Sequence, residues 1–311
     1  MKMTFKAVVF GSLMILAAVV FAVVILPYFH TSKTTPSEIF RLRSDEEATG
    51  RDIYIANGCV YCHSQSIRVV DWGLGAERIA QAGDYVQDHP ILLGSQRTGP
   101  DLSQEGGEHP DDWQTAHFIN PRYTRPLSIM PAFAFLGTEN IERLTNYVQS
   151  LGFKNADERM ARQKFWKEAS IKAYEAGPEA NVKWLHELIP EGWRNIPNPY
   201  PTSAAGLARG HKIYQDFCFG CHGSIGDGMG PAQPYLYPPP LNFTILKDRG
   251  ISGGILYYQI MNGITGTAMP YFKRELESEK IWDVGNYVAV NFINQTDADE
   301  EPKGIDAAYE P

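Results

Sequence analysis

Cysteine is scarce in this 311-residue chain: there are four, and none lies outside two short stretches. A scaffold stapled throughout by disulfides is therefore excluded. Basic residues are outnumbered, 28 Lys and Arg against 36 Asp and Glu, for a formal charge of −8. That argues against a nucleic-acid partner, which calls for a basic face. Histidine stops at His222, so nothing downstream of it supplies a second imidazole to a metal held there. Charge is missing altogether between Ala7 and Phe29, which excludes a solvated surface helix in that stretch.

What the uncharged stretch offers instead is a membrane span. At about 1.5 Å per residue it reaches roughly 34 Å as a helix, enough for a hydrocarbon core of about 30 Å. A cleaved signal peptide has a shorter apolar core, about 7–15 residues, and ends in small residues. This stretch is longer and ends in Pro27, Tyr28, Phe29 and His30. The expectation is an uncleaved single-pass anchor over residues 1–30, in the cytoplasmic membrane. Lys2 and Lys6 precede the span, and Lys33, Arg41 and Arg43 follow it, so the positive-inside count does not set its direction. The remaining length suits about two domains of ordinary size.

The four cysteines stand in two identical frames, Cys59-Val-Tyr-Cys62-His63 and Cys218-Phe-Gly-Cys221-His222. A C-x-x-C pair alone serves as a disulfide, a redox dithiol or half of a zinc site. Zinc needs four ligands, and neither frame has a second cysteine pair nearby. The histidine decides between these readings. Thiols at i and i+3 lie on one helical face, where they form thioethers to one haem, and the histidine at i+4 turns toward the iron. Two covalent haem c groups are expected, held by Cys59, Cys62, Cys218 and Cys221, with His63 and His222 on the irons.

An iron that only transfers electrons needs a sixth ligand, and methionine raises its potential. Met130 is the only methionine between His63 and Phe153, in "SIMPAF". Met269 sits in "TAMPYF". Each precedes a proline on an interrupted segment, which suits a ligand loop. Met130 and Met269 are the candidate ligands, and Met229 and Met261 are read as packing. His89, His109 and His117 are open alternatives in the first half, read as structural. His186 and His211 carry no ligand context.

The chain also repeats itself. Gly50, Ile53 and Tyr54 before the first frame answer to Gly210, Ile213 and Tyr214 before the second. After each Met-Pro, Ile141, Asn146, Tyr147 and Val148 match Ile281, Asn286, Tyr287 and Val288 at the same offsets, with helical apolar spacing. Ser44 with Glu47 predicts a capping box ahead of the first opening helix. Each half thus reads as opening helix, C-x-x-C-H, loop, Met-Pro, closing helix. This pattern resembles the class I cytochrome c fold, with copies over residues 44–155 and 202–295. The expected fold class is mainly α, an N-terminal transmembrane helix followed by two class I cytochrome c domains. The resemblance implies that opening and closing helices cross at Gly50 against Tyr147 and at Gly210 against Tyr287. It also makes the Pro100 carbonyl the acceptor for the His63 ring, with Pro240 in the same role for His222. Residues 156–201 form a charged, then Pro-rich linker, whose Trp166, Trp184 and Trp193 need burial on a haem domain or a partner. Residues 296–311 are an acidic tail, read as solvated and disordered.

The loop from His63 to Met130 is longer than its counterpart, and carries "CVYCHSQSIR", "GSQRTGPDL", "DDW" and "HFINPR". From residue 1 to 153 this resembles the membrane-anchored monohaem cytochrome subunit of C-family (cbb-type) haem-copper oxidases. Ser66 and Val69 stand where that family usually has a methionine and a proline, and a second haem domain is fused on. The resemblance implies an electron-transfer subunit with no bond-making chemistry of its own. It would pass electrons from a small cytochrome c or a quinol-oxidising complex to a multispan haem-copper catalytic subunit, its haem domains on the periplasmic face. The alternatives are the same role in a nitric oxide reductase or a quinol-oxidising complex, a free-standing anchored shuttle, and a dihaem peroxidase. Two Met-Pro loops argue against a peroxidase, which needs an open iron site. The long linker suggests a second domain free to sit outermost and meet the donor, the first passing electrons on.

Overall fold

The computed structural model of the chain describes residues 4–74, 78–94 and 96–294. The expected acidic tail lies outside the described residues. Among the described residues the secondary structure is helical, with no strand.

The expected anchor is one helix, α1, Phe5–Thr31, long and apolar enough to cross a membrane, with mean hydropathy 3.0 in its most apolar window and none of that window buried. It begins before and ends after the uncharged stretch, so Lys6 lies inside its first turns, where a long stem reaches an interface. Thr4 caps it by accepting from the Ala7 N–H at 3.4 Å. The helix widens to a π turn over Phe21–Ile25, just ahead of Pro27, which has no N–H to give the preceding turn.

The first copy opens with α2, Asp45–Ala56, and the expected capping box is present. The Glu47 N–H donates to the Ser44 hydroxyl at 3.2 Å, and the Ser44 N–H donates to the Glu47 carboxylate at 2.8 Å. Two helices follow, α3, Asp111–Ile119, and the single turn α4, Pro121–Thr124. The closing helix is α5, Gly137–Gln149, which buries Ile141, Leu144, Tyr147 and Val148 on one face. α2 and α5 cross where expected. A Cβ on Gly50 would lie 1.9 Å from the Arg143 carbonyl oxygen and 2.8 Å from the Tyr147 Cβ, so no side chain fits between the helices. The Tyr54 and Tyr147 rings meet edge-on at 5.3 Å.

The linker is largely helical. α6, Phe153–Glu175, starts after Gly152, whose φ of 105° turns the chain out of α5. α7, Pro178–Glu187, follows. The second copy opens with α8, Ala204–Ile213, and runs through a π turn, Tyr214–Cys218, into Phe219–His222. The first copy instead breaks at Gly58 (φ 71°) before a tight turn at Cys59–Tyr61. α9, Gly253–Asn262, and α10, Ser278–Val288, complete the second copy. α8 and α10 cross as α2 and α5 do. A Cβ on Gly210 would sit 2.3 Å from the Asp283 carbonyl oxygen and 2.8 Å from the Tyr287 Cβ. Tyr214 and Tyr287 meet at 5.6 Å.

The linker does not leave the second copy free, contrary to the expectation from its length. Arg159 of α6 donates to the carbonyls of Gly106 (2.7 Å) and Gln104 (2.8 Å) in the first copy. One turn on, the Gln163 side-chain oxygen accepts from the Gly266 N–H of the second copy at 2.8 Å. Trp166 backs the same glycine, and Trp193 stacks on Tyr257 at 6.2 Å. The two copies also touch directly. A Cβ on Gly220, between the cysteines of the second frame, would lie 2.1 Å from the Tyr123 carbonyl oxygen of α4. Tyr123 stacks on Tyr235 at 6.0 Å, and Arg125 pairs with Glu275 at 2.7 Å. The linker is a strut along one side of a docked pair.

Candidate haem-binding sites

The second site is a cavity with about 1210 Å³ of empty volume, its open mouth included. Cys218, Cys221, His222 and Met269 all line it, so residues 51 positions apart in sequence face one space. Most of the wall is apolar, with Phe217, Leu241 and Phe243 from the second copy and Trp184 from α7. Burial pushes the Cys218 and Cys221 thiols up to about 12. That is the reverse of a redox dithiol, whose attacking thiol is held low as thiolate. Burial likewise holds His222 down at about 4, with the Leu241 carbonyl opposing, so its imidazole is neutral, the form that ligates iron.

His222 is aimed by two contacts. Its Nδ1 lies 3.4 Å from the Leu241 carbonyl oxygen, and its ring stacks on Phe243 at 4.5 Å. The acceptor is thus Leu241 and not Pro240, one residue earlier. The Pro240 carbonyl is turned against Gly228, where a Cβ would lie 2.3 Å from it. Met269 is fixed by its backbone: its N–H donates to the Thr267 hydroxyl at 3.2 Å, and its carbonyl accepts from Ile264 at 3.1 Å. Met261 packs on the core of this half, as expected. Met229 does not pack; it is 69% exposed on the surface.

The first site has the same parts in a more open setting. Cys59 and Met130 pack on one core cluster with Val60 and Leu102, whereas Cys62 is exposed. Burial raises the Cys59 thiol to about 11. The His63 Nδ1 lies 2.9 Å from the Pro100 carbonyl oxygen, the acceptor the resemblance implied. Gly99 makes room for that ring: a Cβ there would lie 2.2 Å from His63 Cε1. Behind the ring, Asp101 accepts from the Ser64 hydroxyl (2.6 Å) and the Ser66 N–H (2.8 Å). Arg97 donates to Ser64 Oγ (2.7 Å), the Ser66 carbonyl and Asp71 (each 2.8 Å). The "GSQRTGPDL" stretch is therefore the brace of His63, with Arg97 and Asp101 as its working residues. Such outer partners orient a ligand and raise its basicity.

Met130 repeats the arrangement of Met269. Its N–H donates to the Ser128 hydroxyl at 3.2 Å, and its carbonyl accepts from Arg122 at 3.1 Å. A hydroxyl residue two positions before Met-Pro is present in both copies, Ser128 and Thr267, a signal that the sequence carried. Two of the three alternative histidines of this half are engaged elsewhere. His109 pairs with Glu105 at 2.8 Å, His117 Nδ1 lies 2.7 Å from the Thr124 hydroxyl, and His89 is exposed. Burial first, then the charges of His109, Arg125 and His63, hold His117 down at about 3. Among the described residues no three His, Cys, Asp or Glu side chains converge as a metal site would require. The donors present, paired thiols beside one imidazole with a methionine thioether in the same half, fit haem c and not zinc.

Residues 2–182 match the sequence model of the family described as cytochrome c oxidase, mono-heme subunit/FixO. The chain belongs to the FixO family. Residues 205–288 match a second model, described as cytochrome c oxidase, cbb3-type, subunit III. The two matches together place a c-type cytochrome, with covalently bound haem c and a role in electron transfer, behind an N-terminal helix suited to a single-pass membrane anchor. No curated protein sequence matches the chain. Among solved structures, the Kuenenia stuttgartiensis reducing HAO-like protein complex Kustc0457/Kustc0458 is 19% identical over 81% of this chain and 98% of its own, with a TM-score of 0.27, too low to bear on the fold.

Proposed function

We propose that this FixO-family chain carries two haem c groups and passes electrons through them to a haem-copper oxygen reductase catalytic subunit. One observation supports the reading above all. A single chain joins segments that match two cytochrome subunits of cytochrome c oxidase, and each segment holds a C-x-x-C-H frame and its own Met-Pro turn. The haem supplies a one-electron couple at iron when bound. Cys59 and Cys62, and Cys218 and Cys221, are the residues that hold it by thioether bonds. His63 and His222, turned by the carbonyls of Pro100 and Leu241, would ligate the iron through their imidazoles, and Met130 and Met269 would supply the thioethers that raise its potential. The haem-bearing halves stand on the periplasmic face, with the N-terminus inside.

The test is purification in mild detergent, with haem stain and identification of the co-eluting subunits. A multispan haem-copper subunit that reduces oxygen, eluting with a chain that carries two covalent haems, is the expected result. Elution alone, or with a subunit that reduces nitric oxide and not oxygen, would overturn the assignment of acceptor.

A further inference from the structure

Trp113 belongs to the first copy but lines the cavity of the second. It sits on α3, is 6% exposed, and forms one wall of the space that holds Cys218, Cys221, His222 and Met269. It packs there in a cluster with Ala232, Leu236 and Ala268, and Cys221 lies against the same cluster. A tryptophan so placed serves as packing between domains. Aromatic rings pack on its indole as well.

The indole stacks on two histidines, His109 with ring centroids 3.8 Å apart and planes at 21°, and His117 at 4.7 Å and 9°. His117 in turn meets the Phe118 ring edge-on, with centroids 6.4 Å apart. The next residue, Phe118, is buried in the core cluster that includes Cys59 and Met130. An aromatic series therefore runs from the wall of one attachment site to the packing of the other. The approach of the two sites is also fixed in the backbone. The turn α4 offers its Tyr123 carbonyl to Gly220, between the cysteines of the second frame. One residue earlier in that turn, Arg122 donates to the carbonyl of Met130 in the first site at 3.1 Å. Tunnelling through protein weakens steeply with each gap not bridged by packed atoms, and large rings in van der Waals contact shorten such gaps.

We propose that Trp113, stacked on His117, is the electronic bridge between the two haem sites, and that domain docking exists to seat it. The proposal rests on the two-haem reading given above. In the step it serves, one electron leaves the reduced site and arrives at the oxidised site. Trp113 itself gains and loses none, and no proton moves with it.

The experiment uses the full chain in detergent with both haems attached, as shown by haem stain and the reduced spectrum. One electron is delivered by a short light flash, and its equilibration between the two haems is followed spectrally. Trp113→Leu should slow equilibration several-fold, while Trp113→Phe, which keeps a ring, restores most of the rate. Trp193→Leu is the control, since Trp193 stacks on Tyr257 and is not among the residues that line this cavity. It should leave the rate unchanged. Midpoint potentials, low-spin spectra and hydrogen exchange along Ala232–Leu236 separate coupling from structure, and all three should be the same in Trp113→Leu as in the parent. If Trp113→Leu equilibrates as fast as the parent, or slows only with shifted potentials and faster exchange, the bridge is refuted. If the parent chain itself carries one haem or shows no transfer between two, the two-haem reading fails instead, and the variants are not needed to see it.

Discussion

At the scale of single residues, the sites rest on space left for imidazole rings. Gly99 is the sharpest case, since a Cβ there would meet His63 Cε1 at 2.2 Å. Gly99→Ala should push the ring off the Pro100 carbonyl, cost about 1–3 kcal/mol as overpacking does, and turn part of the first haem high-spin. The reduced and oxidised visible spectra check it, and an unchanged low-spin spectrum would mean that the ring has another way to sit. Met269→Ala should lower the potential of the second haem alone by removing its thioether, as a redox titration reads. His117 gives a pH dependence. It is held at about 3 in the fold, against an ordinary value near 6.5. Below about 6.5 the unfolded chain therefore takes up a proton that the folded chain refuses. Stability should fall as pH drops toward about 4, by at most about 1.4 kcal/mol per unit. His117→Gln cannot charge, so its denaturant midpoint should vary less over that range. An equal slope in both proteins would assign the effect to other groups, of which Glu105 and His109 are the nearest.

At the scale of elements, the repeated helix crossing was legible in the sequence and the linker was not. Gly50 with Tyr147 and Gly210 with Tyr287 could be read because close approach of two helices admits only glycine, and both pairs recur at matched offsets. The frames and Met-Pro turns stand out in the sequence for a similar reason: covalent attachment and ligation would demand fixed residue types at fixed spacing. Carbonyl acceptors carry no such mark. Any residue has a carbonyl, and whether Pro240 or Leu241 meets His222 is settled by Gly228 across the loop. Contacts between the copies were hidden too, since Trp113 and Ala232 share no local pattern. The crossing makes a direct prediction. Gly210→Ala would place a Cβ 2.3 Å from the Asp283 carbonyl oxygen, so α8 and α10 must part. The cost should be about 1–3 kcal/mol, and the loss should fall on the second haem's half. Thermal unfolding followed at each haem's own band tests this. An unshifted transition at the second haem would show that the helices have slack.

At the scale of the whole molecule, the physical nature of the docking between the two copies can be told from what lies in the interface. Trp113, Ala116, Ala232, Leu236 and Ala268 form its buried centre. Arg125 and Glu275 pair at its rim, with side chains 25% and 37% exposed. A pair so placed contributes about 0–1 kcal/mol and is screened by salt, whereas apolar burial is not. Docking should therefore persist from low to molar salt, and Arg125→Ala should leave it closed. Ala232→Asp is the opposite case, because it puts an unpaired carboxylate into a site with no exposure at all. Burying that charge costs more than the interface can return, so the copies should separate. Hydrogen exchange along Ala232–Leu236 and protease cleavage of the linker report the opening. Both should be flat with salt in the parent and in Arg125→Ala, and raised at every salt concentration in Ala232→Asp. If molar salt alone opens the parent, the rim charges hold the copies together and the apolar centre does not.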